Sequence, residues 1–240
     1  AVLGDASLGV THFFGVPAPY QFMMQHPDFD ATDLSRIVTA GVGGAPCAEA
    51  ILRGWINRGV PLIQGWGMTE TSPLATLSRR VMKHAQQNLS EDEQFENVAK
   101  AGQLMPGLEL DIFDEDFNRL PHDGETVGEI LIRGPWICSE YFNNPQPDKF
   151  HDGWLVTGDV GKIDPEEYLI ISDRSKDLVK SGGEWISSVD LENHIVALPG
   201  VAQACVVAQP HPRWDERPVA LVVLEPGKEV SQEEVLKHCE

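Results

Sequence analysis

Residues 37–71, IVTAGVGGAPCAEAILRGWINRGVPLIQGWGMTET, decide the fold. The apolar opening at 37–40 (IVTA) predicts a short strand, ended by Gly41-Val42-Gly43-Gly44. Residues 46–58 (PCAEAILRGWINR) place Ala50, Ile51, Trp55 and Ile56 on one face at helical spacing, with a proline near the start. Leu62 and Ile63 open a further strand before a glycine-containing loop. Upstream, residues 10–14 (VTHFF) read as a strand, and Pro17 opens a helix in PAPYQFMMQ. Strand, helix, strand, helix, strand favours a parallel sheet with covering helices.

Outward from this stretch the pattern changes twice. Residues 82–97 (MKHAQQNLSEDEQFEN) are polar and predict a surface excursion with one helical piece. Residues 108–113 (LELDIF) and 129–133 (EILIR) alternate with period two across the turn residues HDGETVG. Residues 154–160 and 168–172 are strands flanking the turn DPEE. From Asp173 a third unit begins. LVKSGGEWI at 178–186 reads as a hairpin around Gly182-Gly183, and Ser187 or Ser188 caps a helix running to Leu198. Residues 201–208 and 218–224 are strands. Ser231 and Glu234 form a capping box for a last helix. The expected class is α/β: part of an αβ-layered N-terminal domain (1–107), a β-rich subdomain (108–172), then a hinge and a partial, small α+β C-terminal domain (173–240). A last helix cut at residue 240 and the lack of an initiator Met predict a fragment.

Composition narrows the function. The 240 residues are 42 % hydrophobic and 23 % charged, which fits a globular chain with a real core. The net charge of −19 argues against nucleic acid and anionic membranes as partners. No apolar run is long enough for a membrane span, and no basic region precedes the apolar N-terminal stretch. Cys47, Cys138, Cys205 and Cys239 make no CxxC pair, so a structural zinc site is not expected and a reduced, cytoplasmic setting is.

Four segments are candidates for chemistry. In QGWGMTET (64–71), Gly65 and Gly67 let backbone approach a flat ligand, and Trp66 can stack on a base. The Thr69 hydroxyl can bond a phosphate and the Glu70 carboxylate can hold Mg²⁺. Read alone, the same string is equally a strand-to-helix turn with Thr69 as cap and Trp66 as core. Gly43-Gly44-Ala45-Pro46 could turn backbone N–H groups toward a ligand, or be a tight loop. Asp159, at the end of an apolar strand, could take both hydroxyls of a ribose, and hairpin pairing would bring Arg174 to it. The alternatives are a turn aspartate and a surface ion pair of Arg174 with Asp173 or Asp177. Residues 173–184 (DRSKDLVKSGGE) cluster charge at a boundary, as a hinge or a plain linker does. No GxxxxGK[ST], GxGxxG, GxSxG or HExxH string occurs.

IVTAGVGGAP, QGWGMTETSP, GEILIRGP, GWLVTGDVG and DRSKDLVKSGGEWIS, in this order, resemble the core motifs of the adenylate-forming superfamily across essentially the whole chain. GWGMTE with SGGEWISSVDLEN looks most like medium- and long-chain fatty acyl-CoA synthetases. Ligases for short thioether-containing or aryl acids, and acyl-AMP ligases, carry similar strings. The resemblance implies a two-step reaction: acid and Mg·ATP give acyl-adenylate and diphosphate, then the CoA thiol displaces AMP. It implies that Gly43, Gly44 and Ala45 line the junction of acyl and adenine pockets. It assigns Gly65, Trp66, Gly67 and Met68 to the nucleotide, with Trp66 on adenine. It gives Thr69 the phosphate, Glu70 the Mg²⁺, and Asp159 with Arg174 the ribose. Lys176 matches the hinge. Lys180, Ser181, Gly182, Gly183 and Glu184 match the loop on the CoA side. ATP or AMP, Mg²⁺ and CoA are the implied cofactors, a small carboxylic acid the substrate, and a homodimer the usual assembly. The superfamily's lysine-bearing phosphate loop and C-terminal catalytic lysine are not among these residues. The resemblance therefore implies a piece that does not adenylate alone, with a non-catalytic nucleotide-binding remnant as the further alternative.

Overall fold

The computed structural model describes residues 2–78, 89–182 and 184–239. The start of the polar excursion (82–88) and Gly183 lie outside them. The chain divides into two compact units. The first comprises Ala1–Thr157 with Lys162–Ile171, the second Gly158–Gly161 with Ser172–Glu240. The architecture is α/β.

In the first unit, β1 (His12–Gly15), β2 (Thr39–Gly43) and β3 (Leu62–Trp66) are parallel neighbours, linked through α1 (Pro17–Met24) and α2 (Glu49–Ile56). The expected βαβαβ start is present, with different limits. The glycines at 41–43 do not end the strand; they lie inside β2. Gly43 is the cross-strand partner of Gly65, and a Cβ on it would stand 2.5 Å from the Gly65 carbonyl oxygen. The glycines therefore allow two strands to pair, which apolar periodicity does not reveal. Helix α2 starts at Glu49, not at Pro46, and buries Ile51, Leu52 and Trp55 while Ala50 is exposed. Trp55 packs among Phe13, Tyr20 and Phe29 at centroid separations of 5.0–5.7 Å, and its indole N–H donates to the Tyr20 carbonyl. The Tyr20 hydroxyl donates to the Gly41 carbonyl at 2.6 Å, which ties α1 to β2.

After β3 the sheet turns antiparallel through β4 (Thr76–Leu77) and β5 (Gly102–Leu104). Between them α3 (Glu91–Ala99) is held by a Ser90–Glu93 capping box. It is not a purely polar surface piece, because Phe95 and Val98 are buried against the core. The β-rich part contributes β6 (Glu109–Phe113), β7 (Gly128–Arg133), β8 (Phe150–His151), β9 (Trp154–Ile163) and β10 (Tyr168–Arg174). Among the described residues the large sheet runs β1-β2-β3-β4-β5-β10-β9-β7-β6, with β8 on β9. Strands β9 and β10 each run further than their apolar runs predict.

The second unit orders its strands β12-β11-β14-β13. These are β11 (Val179–Ser181) and β12 (Glu184–Ile186), the expected hairpin, with β13 (Val201–His211) and β14 (Asp215–Leu224). Ser187 caps α4 (Ser188–Val196), which stops before Leu198, and the Ser231–Glu234 box opens α5 (Gln232–His238). Val201, Val206 and Ile195 form this unit's buried centre. Among the described residues no helix is long and apolar enough to cross a membrane.

His122 bridges two carboxylates in the first unit. Its Nε2 lies 3.0 Å from Asp111 Oδ1 and its Nδ1 3.1 Å from Glu167 Oε2, with Arg119 beside Asp111 at 3.2 Å. Burial alone would lower the imidazole pKa; the Asp111 and Glu167 hydrogen bonds and charges outweigh it and raise the pKa above the ordinary 6.5. A raised native pKa stabilises the fold below the ordinary value, and that contribution fades as pH rises through the raised one. Melting temperatures of the parent chain and His122→Gln, measured from about pH 6 to about pH 9, should differ most at the acid end and converge toward the alkaline end. A gap independent of pH would contradict the bridge.

Candidate functional site

The carboxyl end of a parallel strand in an α/β sheet is where ligands approach, and β3 ends in the candidate loop. Trp66 closes β3 and is half-buried. Its indole packs against the clusters around Ile112 and Ile130 and around Ala75 and Ile132, so part of it is core, as the structural alternative holds. Gly67 is demanded by the chain itself, since a Cβ there would overlap the Pro73 carbonyl oxygen and crowd Thr71 Oγ1.

Residues Thr69–Thr71 form one 3₁₀ turn capped at Met68, not at Thr69. Thr71, 0 % exposed, supplies the cap. Its Oγ1 accepts the Met68 N–H at 2.9 Å, and its proton can go to Pro73 O at 2.9 Å or Met68 O at 3.0 Å. With Thr71 turned inward, Thr69 is exposed and Glu70 half-buried.

Glu70 has a partner that sequence reasoning missed. The Tyr141 hydroxyl donates to Glu70 Oε1 at 2.6 Å, and the Cys138 N–H donates to the Glu70 carbonyl at 2.9 Å. The hydrogen bond to Glu70, then burial, pushes the Tyr141 phenol up to about 12. Burial and the same carboxylate raise the Cys138 thiol. No local pattern links positions 70 and 141; only the fold does. Among the described residues no group of three or more His, Cys, Asp or Glu side chains is set to hold a metal ion. One carboxylate with an oxygen left over still fits Mg²⁺ in its usual mode, one or two protein carboxylates plus substrate phosphates and water. On the neighbouring strand β2 Gly43 is buried, and just past the strand's end Gly44, at φ 81°, and Ala45 are exposed.

The second unit holds the other candidate carboxylate. Asp159 lies within β9 rather than at a strand end, and is 5 % exposed. Its Oδ1 is 2.6 Å from Arg174 Nε. The predicted convergence is present, and the surface pairs of Arg174 with Asp173 or Asp177 are not what the structure shows. Asp173 does different work. Its Oδ2 accepts from the Ser188 N–H and Oγ–H, both at 2.7 Å, holding the first turn of α4. Lys176 is exposed in the turn after β10, where the Asp177 and Leu178 N–H groups donate to the Arg174 carbonyl. Lys180 is exposed on β11, its N–H donating to Glu216 Oε2, and Ser181 is buried opposite Asp215. Gly182 takes φ 64° as its N–H meets the Trp214 carbonyl, and Glu184 pairs with Ser181.

Residues 3–142 match the AMP-binding enzyme family and residues 190–240 the AMP-binding enzyme C-terminal domain. The chain belongs to the AMP-binding enzyme family. It is 42 % identical over 230 residues to a 3-methylmercaptopropionyl-CoA ligase of Ruegeria lacuscaerulensis, covering 95 % of this chain and 42 % of that protein. A long-chain-fatty-acid–CoA ligase of Thermus thermophilus is 39 % identical over 233 residues, covering 96 % of this chain and 42 % of the ligase. Among solved structures, ATP-bound MatB from Rhodopseudomonas palustris superposes with a TM-score of 0.83 at 29 % identity, over 95 % of this chain and 44 % of MatB. This AMP-binding family chain thus spans less than half the length of the relatives it matches.

The Thr71 hydroxyl is the test of how the Glu70 turn is held. Thr71→Val keeps the shape but strands the Met68 N–H, and should cost about 1–3 kcal/mol of unfolding free energy in a urea titration. A cost within error of zero would contradict its role.

Proposed function

We propose that this chain is part of an AMP-forming acid–CoA ligase, converting a carboxylic acid, ATP and CoA to acyl-CoA, AMP and diphosphate. Two bond exchanges make up the reaction. A carboxylate oxygen of the acid bonds to the α-phosphorus of ATP and diphosphate leaves. The CoA sulfur then bonds to the acyl carbon, AMP leaves, and the thiol proton passes to solvent or base. The observation that carries this reading is the turn at 69–71, which exposes Thr69 and anchors Glu70 in a chain belonging to the AMP-binding enzyme family.

In this proposal Thr69 donates its hydroxyl proton to a phosphate oxygen, and Glu70 offers its remaining oxygen to the cation. Mg²⁺, when bound, neutralises phosphate charge as the α-phosphorus is attacked. Gly43, Gly44, Ala45, Gly65, Trp66, Gly67 and Met68 shape the adenine and acyl side, with the half-buried Trp66 packing on adenine. Asp159 accepts from the ribose hydroxyls while Arg174 holds its carboxylate. Residues 173–240 act as a partial C-terminal domain turning about Lys176, and Lys180 to Glu184 face CoA. The second compact unit, which takes in Ser172–Glu240 together with Gly158–Gly161, supports that division. The acid is a medium- or long-chain fatty acid in the first reading. The relative named for 3-methylmercaptopropionate favours a short sulfur-containing acid as the second.

AMP titrated calorimetrically into the chain should give saturable heat, with affinity at least about tenfold weaker (about 1.4 kcal/mol) in Asp159→Asn. Equal affinities, or no binding at millimolar AMP, would count against the assignment. These 240 residues alone, with fatty acid and Mg·ATP, should release no diphosphate above a protein-free blank. Clear turnover would overturn the incomplete-site reading.

A further inference from the structure

We infer that Tyr141 is a positioning residue for the Glu70 carboxylate, holding one of its oxygens so that the other is offered to a nucleotide-bound divalent cation. The inference rests on the reading of Glu70 as the cation ligand. Three contacts bind the segment around Tyr141 to the Glu70 turn. The Tyr141 hydroxyl donates to Glu70 Oε1 at 2.6 Å, the Cys138 N–H to the Glu70 carbonyl at 2.9 Å, and the Ser72 hydroxyl to the Trp136 carbonyl at 3.0 Å. The two backbone-directed bonds fix where the turn sits, but neither touches the carboxylate. A glutamate side chain has three rotatable bonds, and among the described residues only the phenol bonds to its end. The Tyr141 ring is in turn seated against Phe150, at a centroid separation of 5.9 Å and 57° between planes. The loop that carries the donor is thus held by a ring contact as well as by its hydrogen bonds.

The chemistry suits the task. A phenol O–H gives one donor to one carboxylate oxygen and adds no charge, so the full negative charge stays available to a cation. A lysine or arginine at the same place would compete with the metal for Glu70. A ligand that has lost its orienting partner keeps its identity but samples wrong rotamers, which typically weakens metal binding about 10- to 100-fold.

Mn²⁺ is the probe, titrated into the chain at saturating ATP and followed by water-proton relaxation, with metal-free ATP binding measured beside it. Tyr141→Phe should weaken Mn²⁺ binding about tenfold while leaving metal-free ATP affinity and the far-UV circular dichroism unchanged. Glu70→Gln should weaken it at least as much. A weak Glu70→Gln with a parent-like Tyr141→Phe overturns the inference alone. A Tyr141→Phe that also loses metal-free ATP binding overturns it in favour of a purely structural role. A parent chain whose Mn²⁺ binding is equal to that of Glu70→Gln, or absent, overturns the Glu70 reading and this inference with it.

Discussion

A hydroxyl that never meets solvent holds the candidate site in place. Thr71 Oγ1 takes the Met68 N–H and can return its proton to Pro73, closing the chain on itself within six residues. That closure leaves no room for a side chain at Gly67, which explains the glycine without reference to a ligand. It also decides which neighbours point outward. With Thr71 turned in, Thr69 is exposed and Glu70 is angled toward the segment carrying Cys138 and Tyr141. A preset arrangement of donors and a carboxylate avoids the ordering cost that a loose loop would meet on binding. Its place after β3, a parallel strand of an α/β sheet, is where the fold offers such a loop to a ligand.

The second unit separates two carboxylates that the sequence sets close together along the hairpin. Asp173 is used up structurally, accepting from the Arg174 N–H and from both donors of Ser188 at the start of α4. Asp159 is equally buried but faces a guanidinium that is itself half-exposed. A buried charge persists only when paired, and the two carboxylates are paired differently, Asp173 with the start of α4 and Asp159 with Arg174. Composition cannot distinguish these two residues; their partners do.

What was legible in the sequence was whatever depends on neighbours along the chain. The βαβαβ start, the hairpin of β11 and β12, and the serine caps at 187 and 231 follow from local patterns, and the structure contains them. The ordered motifs point to the family without any geometry. What was illegible depends on distant partners. The strand through Gly41 and Gly43 exists because β3 lies against it. Helix α3 reads as polar because its two buried residues, Phe95 and Val98, are outnumbered by solvated ones. Tyr141 meets Glu70 only because the fold returns it across 71 positions.

Hydrogen exchange on the chain, with and without Mg·ATP, tests most directly whether the site is built before the ligand arrives. The account predicts that the amides of Met68, Thr71 and Cys138, bonded to Thr71 Oγ1, Met68 O and Glu70 O, are already slow without nucleotide and change little on its addition. Amides that exchange as freely as an open loop, and slow only when nucleotide binds, would contradict it.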